Sequence, residues 1–159
     1  MVQHYFRTKD EMVVFALAAV GERTRARLTD EVAALGPAPA PDAFVRALLV
    51  QQLPFDEARR IEGRVALAFY AYTARNPSVA VKLGEDDTQL ADYVANLISR
   101  AQTAGAVLAH LDPGHTSAAL LALVEGLGVR AAIGHQPPED ALAVLDTHLK
   151  TVFGVVPRP

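Results

Sequence analysis

The sequence contains no cysteine, which removes disulfide frameworks, thiolate metal sites and thiol nucleophiles together. Long hydrophobic runs are missing as well. No apolar stretch approaches the ~20 residues needed to span a bilayer, and no basic segment leads into an apolar run with a small-residue cleavage site. A cytoplasmic location without a membrane partner is the expectation. Val, Ile and Thr never gather in an alternating run, so no strand pattern is present. Positive charge is scarce beyond the opening segment: residues 1–27 carry five basic and three acidic side chains, and the rest of the chain carries ten and fifteen. That balance has the wrong sign for a phosphate-binding surface. Catalytic signatures are equally scarce. There is no Gly-x-Ser-x-Gly elbow, phosphate-cradling glycine loop or His-Glu-x-x-His pair, and His110, His115, His135 and His148 lack the spacing of a metal site. Glu85-Asp86-Asp87 reads as an acidic run complementing a helix start, and Thr116 and Ser117 read as caps. An enzyme, a metal site and a cofactor are therefore not expected.

What is present is a helical chain. Hydrophobic residues make up 51% and charged residues 21% of 159, a composition that suits one compact domain and excludes a disordered tail. No repeat of fixed period is visible. From residue 9 to 35, Val14, Leu17, Gly21, Leu28, Val32 and Leu35 recur at helical spacing, with Glu22/Arg25 and Arg27/Glu31 as exposed pairs. Gly36-Pro37-Ala38-Pro39-Ala40-Pro41 stops this helix as a stiff connection. Further helices are expected at 42–53, 55–75, 78–104, 113–134 and 137–152, ending in a frayed tail. Gly84 is expected to kink or restart the fourth. The fold class is all-α with about six helices.

Two segments are apolar nearly all round, Val65-Ala66-Leu67-Ala68-Phe69-Tyr70-Ala71-Tyr72 and Ala118-Ala119-Leu120-Leu121-Ala122-Leu123-Val124, which implies burial from more than one side. A second copy of the chain supplies that economically. Leu120, Leu123, Val124, Leu127 and Ala131 form one stripe and Ala141, Leu142, Leu145, Leu149 and Val152 another. Paired across a two-fold axis they would make an intermolecular four-helix bundle, with Gly126 and Gly128 allowing close backbone approach. The alternative is that both stripes pack within one chain and the glycines are neutral. Glu125, set among leucines, is expected to make a polar contact at the dimer seam, with His148 or the other subunit as partner.

The opening residues are the most specific. Thr8-x-x-Glu11 is a capping box, in which the Thr8 hydroxyl accepts from the Glu11 N–H, so a helix begins near Lys9. Tyr5-Phe6-Arg7-Thr8-Lys9-Asp10-Glu11-Met12 resembles the junction that closes the helix-turn-helix in the TetR family of ligand-responsive regulators. A second segment, from Leu53-Pro54-Phe55-Asp56 through Arg59-Arg60, Glu62, Arg64, Val65 and Leu67-Ala68-Phe69, is similar to the sensor domain of the branch that includes the choline-responsive BetI repressors. Glu125-Gly126-Leu127 resembles that branch's first dimerisation helix. The resemblance implies a probe-and-lever division. Residues 1–8 are a remnant of the DNA-binding domain, with Gln3, His4, Tyr5 and Lys9 as its DNA contacts. Residues 9–153 are a ligand-sensing and dimerisation domain, and 154–159 a tail. Family members carry two helices and most of a third ahead of this junction, so this chain by itself is not expected to read operator DNA. As part of an intact protein it would be a homodimeric repressor whose effector shifts the helix starting at Lys9.

For the effector, Glu62, Val65, Phe69 and Tyr72 share a helical face, Tyr93 lies on the stripe of the next helix, and Gln51, with Phe44 and Leu48, adds to them from the preceding one. Such a pocket suits an apolar or cationic small molecule. Against it stands a helical interaction or scaffold module in which the same aromatics are pure core, Glu62 pairs with Arg59 or meets water, and no ligand binds. Asn96 and Arg100 fall on a solvated face.

Overall fold

The computed structural model describes residues 8–154, apart from the side chains of residues 78 and 82–86. Gln3, His4 and Tyr5 lie outside the described residues, as do the side chains of Glu85 and Asp86. Six helices follow one another, and no strand occurs among the described residues: α1 (Lys9–Ala34), α2 (Pro41–Val50), α3 (Glu57–Thr73), α4 (Pro77–Thr103), α5 (Pro113–Ala132) and α6 (Pro138–Val152). Each matches an expected segment to within a few residues. α4 is assigned as one unbroken helix through Gly84, so the expected restart does not occur.

The punctuation has simple causes. Proline opens α2, α4, α5 and α6, where its missing N–H costs nothing and its fixed φ already suits a helix. The other two helices start on side-chain caps: Glu11 N–H donates to Thr8 Oγ1 at 3.1 Å, and Arg59 N–H to Asp56 Oδ1 at 2.8 Å. α1 stops where Gly36 takes φ +94°, a conformation open to glycine and unfavourable for residues with a Cβ. At the start of α5 the cap is Asp112, which accepts from His115 N–H at 2.7 Å. Ser117, expected to cap, does something else: fully buried, it donates to the Ala91 carbonyl of α4 at 2.7 Å and ties the two helices together.

α5 is the centre of the body, packing against α2, α3, α4 and α6. Beside it the short α2 buries five of its ten residues, Val45, Ala47, Leu48, Leu49 and Val50. Leu49, Leu53, Ile98, Leu120, Leu145 and Val124 are the large side chains sealed in this core, each contributing about 1.5–3 kcal/mol of transfer free energy.

This packing corrects the expected dimer surface. Leu120, Val124 and Leu145 are completely inaccessible, and Leu127, Ala131 and Leu149 are buried. All but Ala131 belong to one buried core shared with residues of α2 and α4, which leaves these side chains little surface for a partner. Leu123 and Leu142 are half-buried against the same core. Most of both stripes therefore packs within one chain, where α4 and α2 cover α5 and α2 covers α6, and Leu123 also borders the outward groove beside α6. The outward faces lie on the opposite side of each helix and carry Ala119, Ala122, Gly126, Ile133, Ala143 and Val144.

Gly128 is likewise an intrachain contact. A Cβ there would meet the Gln52 backbone carbonyl at 2.7 Å, so α5 and the end of α2 touch through the missing side chain. Gly128→Ala should destabilise the fold by about 1–3 kcal/mol through overpacking. Gly21→Ala, where an added methyl meets nothing within 4 Å, should be neutral or raise stability by up to about 1 kcal/mol through helix propensity. Urea unfolding of the two variants checks the contrast.

Candidate functional site

α1 is unusual in having no buried residue along 26 positions. Its apolar face, with Val14, Leu17, Ala18, Gly21 and Leu28, borders a cleft of about 650 Å³ that is open to solvent on one side, and Leu28 also packs against the core. The opposite walls come from Leu48 and Gln52 of the α2 segment, Ala66, Phe69 and Tyr70 of α3, and Val79, Asp87, Gln89 and Leu90 of α4. A volume of this size falls in the range of small-molecule sites, which are mostly apolar with a few polar groups at defined points. Here those groups are Thr24, Gln52, Tyr70, Asp87 and Gln89, with Glu22 and Arg25 paired to each other at 2.6 Å.

Along one flank α1 is fastened by charge. Glu62 of α3 is buried, and its carboxylate accepts from Arg23 Nε at 2.8 Å and from both terminal nitrogens of Arg27, at 3.3 and 2.8 Å. Arg27 also reaches Gln51 Oε1 at 3.4 Å and Thr24 Oγ1 at 3.2 Å. Gln51, buried on α2, donates to Glu31 and to the Ala47 carbonyl. The cluster joins α1, α2 and α3 in one polar network, and each buried member has a partner, as burial demands.

The expected ligand residues are thus dispersed. Phe69 is buried and lines the cavity. Glu62 and Gln51 belong to the charged flank, and the pairing of Glu62 is with Arg23 and Arg27, because Arg59 turns to its own cap, Asp56, at 3.0 Å. Arg27/Glu31 is correspondingly not a pair, since each is drawn to a buried group across the helix interface. Tyr72 hydrogen-bonds to Asp10 and lies under Lys9, whose Nζ is 5.2 Å from the ring centroid. That places Lys9, expected to face DNA, against α3 in this structure. Val65 is half-buried and outside the cavity walls. Tyr93 is 47% exposed and meets Phe44 edge to face at 6.2 Å between centroids, on the α2–α4 side. These residues do not line one pocket, because a single helical face cannot gather every polar and aromatic residue. The cavity is walled instead by four segments, and by small residues such as Ala18 and Ala66 that leave space.

Glu125 also faces elsewhere than expected. Its carboxylate hydrogen-bonds to the Tyr70 hydroxyl and lies near Asp87, so its partners are α3 and α4 within the same chain. Burial, together with the charge of Asp87, raises the Glu125 pKa, against the opposing effect of the Tyr70 hydrogen bond. Burial pushes the Tyr70 hydroxyl up to about 12, aided by the charges of Glu125 and Asp87 and by its hydrogen bond to Glu125.

A family model described as the C-terminal domain of BetI-type transcriptional repressors matches residues 41–154, from α2 to just past α6. The chain belongs to the TetR family of transcriptional regulators. Among solved structures, a TetR-family transcriptional regulator from a Rhodococcus species is similar with a TM-score of 0.78 and 21% identity, over 96% of this chain and 79% of that one. A transcriptional regulator from Rhodococcus sp. Rha1 is similar with a TM-score of 0.77 and 30% identity, over 98% of this chain and 80% of that one. No curated protein matches. The family is one of regulators and not of enzymes. Among the described residues no helix is long and apolar enough to cross a membrane, and no cluster of His, Asp and Glu is placed to hold a metal ion.

A raised carboxyl pKa in the folded state means that the folded protein holds the proton more tightly than the unfolded one. The Glu125 contribution therefore favours folding at low pH and is lost as pH rises through the folded value. Glu125→Gln should modestly raise the thermal midpoint at neutral pH, and the difference from the parent should disappear once pH falls below the usual carboxylate range. Melting curves of both proteins across that pH span check the sign.

Proposed function

We propose that this TetR-family domain is the sensor and dimerisation portion of a repressor, and that its effector is a predominantly apolar small molecule held between α1 and the α2–α4 wall. The observation that carries this reading is the pairing of an unburied α1 with the cavity beneath it. A helix whose apolar face adjoins empty space gains contacts when that space is filled, so ligand binding has differential energy for one α1 position over another. A scaffold module whose aromatics are pure core would have a filled interior beside Phe69, and the cavity argues against that alternative. Where DNA-reading helices are joined ahead of α1, a shift of this helix changes their separation and with it operator affinity.

The dimer in this proposal uses the outward faces of α5 and α6. Ile133 and Val144 are 47% and 46% exposed, and a shallow groove lined by Leu123, Ala143, Val144, Thr147, His148 and Thr151 runs between the helices. The small side chains Ala119, Ala122 and Gly126 beside it permit close helix approach, and an apolar surface of this kind marks an association site.

Two measurements test the proposal. The neutral dye phenylnaphthylamine, which fluoresces on leaving water, should bind the protein, and Ala66→Phe should weaken it about tenfold or more by filling the cavity with a ring. No binding by the parent, or equal binding by the variant, would remove the effector reading. In sedimentation, the parent should run as a dimer and Val144→Glu should shift it toward monomer. A monomeric parent at micromolar concentration would end the dimer assignment.

A further inference from the structure

The cavity accounts for one flank of α1, and the charged cluster accounts for the other. Glu62 is 6% exposed, projects from α3, and is the only acceptor shared by Arg23 and Arg27 among the hydrogen bonds given above. α1 has no fully buried side chain and packs on the body through half-buried ones such as Leu28, and this cluster is the largest set of side-chain hydrogen bonds holding its central turns. The two arginines sit one helical turn apart on α1, so their side chains converge on one carboxylate from successive turns. Arg27 is the deeper of the two, at 24% side-chain exposure against 59% for Arg23. Thr24 links the flanks: it accepts from Arg27 and also lines the cavity.

We propose that Glu62 is a positioning residue that clasps α1 over the cavity. It is not itself part of the cavity lining, yet it sets how closely that wall is held. The clasp fixes one edge of α1 by charge, and the contents of the cavity determine the position of the other edge. α1 can therefore tilt about the line through Arg23 and Arg27 without unpacking α5. The regulatory meaning of the clasp rests on the cavity being the effector site, whereas its mechanical role does not.

Amide hydrogen exchange on the full chain, without ligand, tests the mechanical part. In Glu62→Gln, amides of α1 should exchange about tenfold or more faster, the size expected for loss of charge-assisted hydrogen bonds, while amides of α5 keep their protection. Raising salt should speed exchange in α1 of the parent and have much less effect in Glu62→Gln, because the screened charge is then absent. Glu62→Asp, which keeps the charge, should restore part of the protection. Arg23→Gln, made at a largely exposed position, should show a smaller increase confined to α1, and it decides the matter if Glu62→Gln does not fold. A uniform rise across α1 and α5, an unchanged α1, or equal salt sensitivity in parent and Glu62→Gln would overturn the clasp. Binding of phenylnaphthylamine should be weaker in Glu62→Gln by about fivefold or more, since the wall is less well positioned, and unchanged affinity counts against the coupling. Failure of the parent to bind the dye would sink the effector reading, while the exchange comparison would still decide the clasp.

Discussion

A carboxylate buried to the depth of Glu62 is tolerable only if it is paired, and the pairing dictates where α1 can lie. Removing one partner from a buried pair costs roughly 3–5 kcal/mol, less where a partner remains open to water as Arg23 does. The apolar attachment of α1 is weaker, through half-buried side chains such as Leu28 and none that is fully buried. The first helix is thus attached by a small number of directional bonds, while α2, α4, α5 and α6 are attached by a continuous hydrocarbon core. These two kinds of attachment respond differently: the core is non-directional and close-packed, whereas the charged contact is local and, through the exposed Arg23, partly open to screening by salt.

That division explains how the cavity persists. Closing a cleft beneath a helix gains dispersion contacts, so the distance between α1 and the wall of Phe69 and Leu48 depends on where the helix is anchored. The bonds from Arg23 and Arg27 to Glu62 hold one edge, and Asp10 to Tyr72 holds the beginning of the helix. Between these anchors the lining includes Ala18, Gly21 and Ala66, residues too small to fill the gap from either side.

The fold was readable from the chain because its signals were local. Proline at the first turn of four helices, the Thr8 and Asp56 caps and the glycine after Leu35 mark boundaries whatever the tertiary arrangement. The stripes of α5 and α6 were also legible as apolar faces, but their partner was not. Periodicity says that Leu120 and Leu145 must be covered; it cannot say whether by α2 or by a second chain, and the ten-residue α2 proved buried enough to do it. The site was the least legible part. Phe69, which lines the cleft, stood out because an aromatic on an apolar face is visible in sequence. Ala66, Gly21 and Gln52 carry no such mark, since an alanine that lines a void reads the same as one that packs a core. The partners of Glu62 lie 35 and 39 residues away, where i,i+3 and i,i+4 rules have no reach, and so Arg59 and Glu31 looked like the nearer answers.

One consequence of the unburied α1 concerns how such a domain changes over generations. The side chains that α1 presents to the cavity are not those that hold the core together, so a substitution at Val14, Leu17 or Ala18 alters the shape of the chamber with little effect on whether the polypeptide folds. If the chamber holds the proposed effector, selection can then retune chemical preference along one rod while leaving the architecture intact. Lineages sharing this scaffold would be expected to diverge fastest along that rod and slowest around Leu49, Leu120 and Leu145.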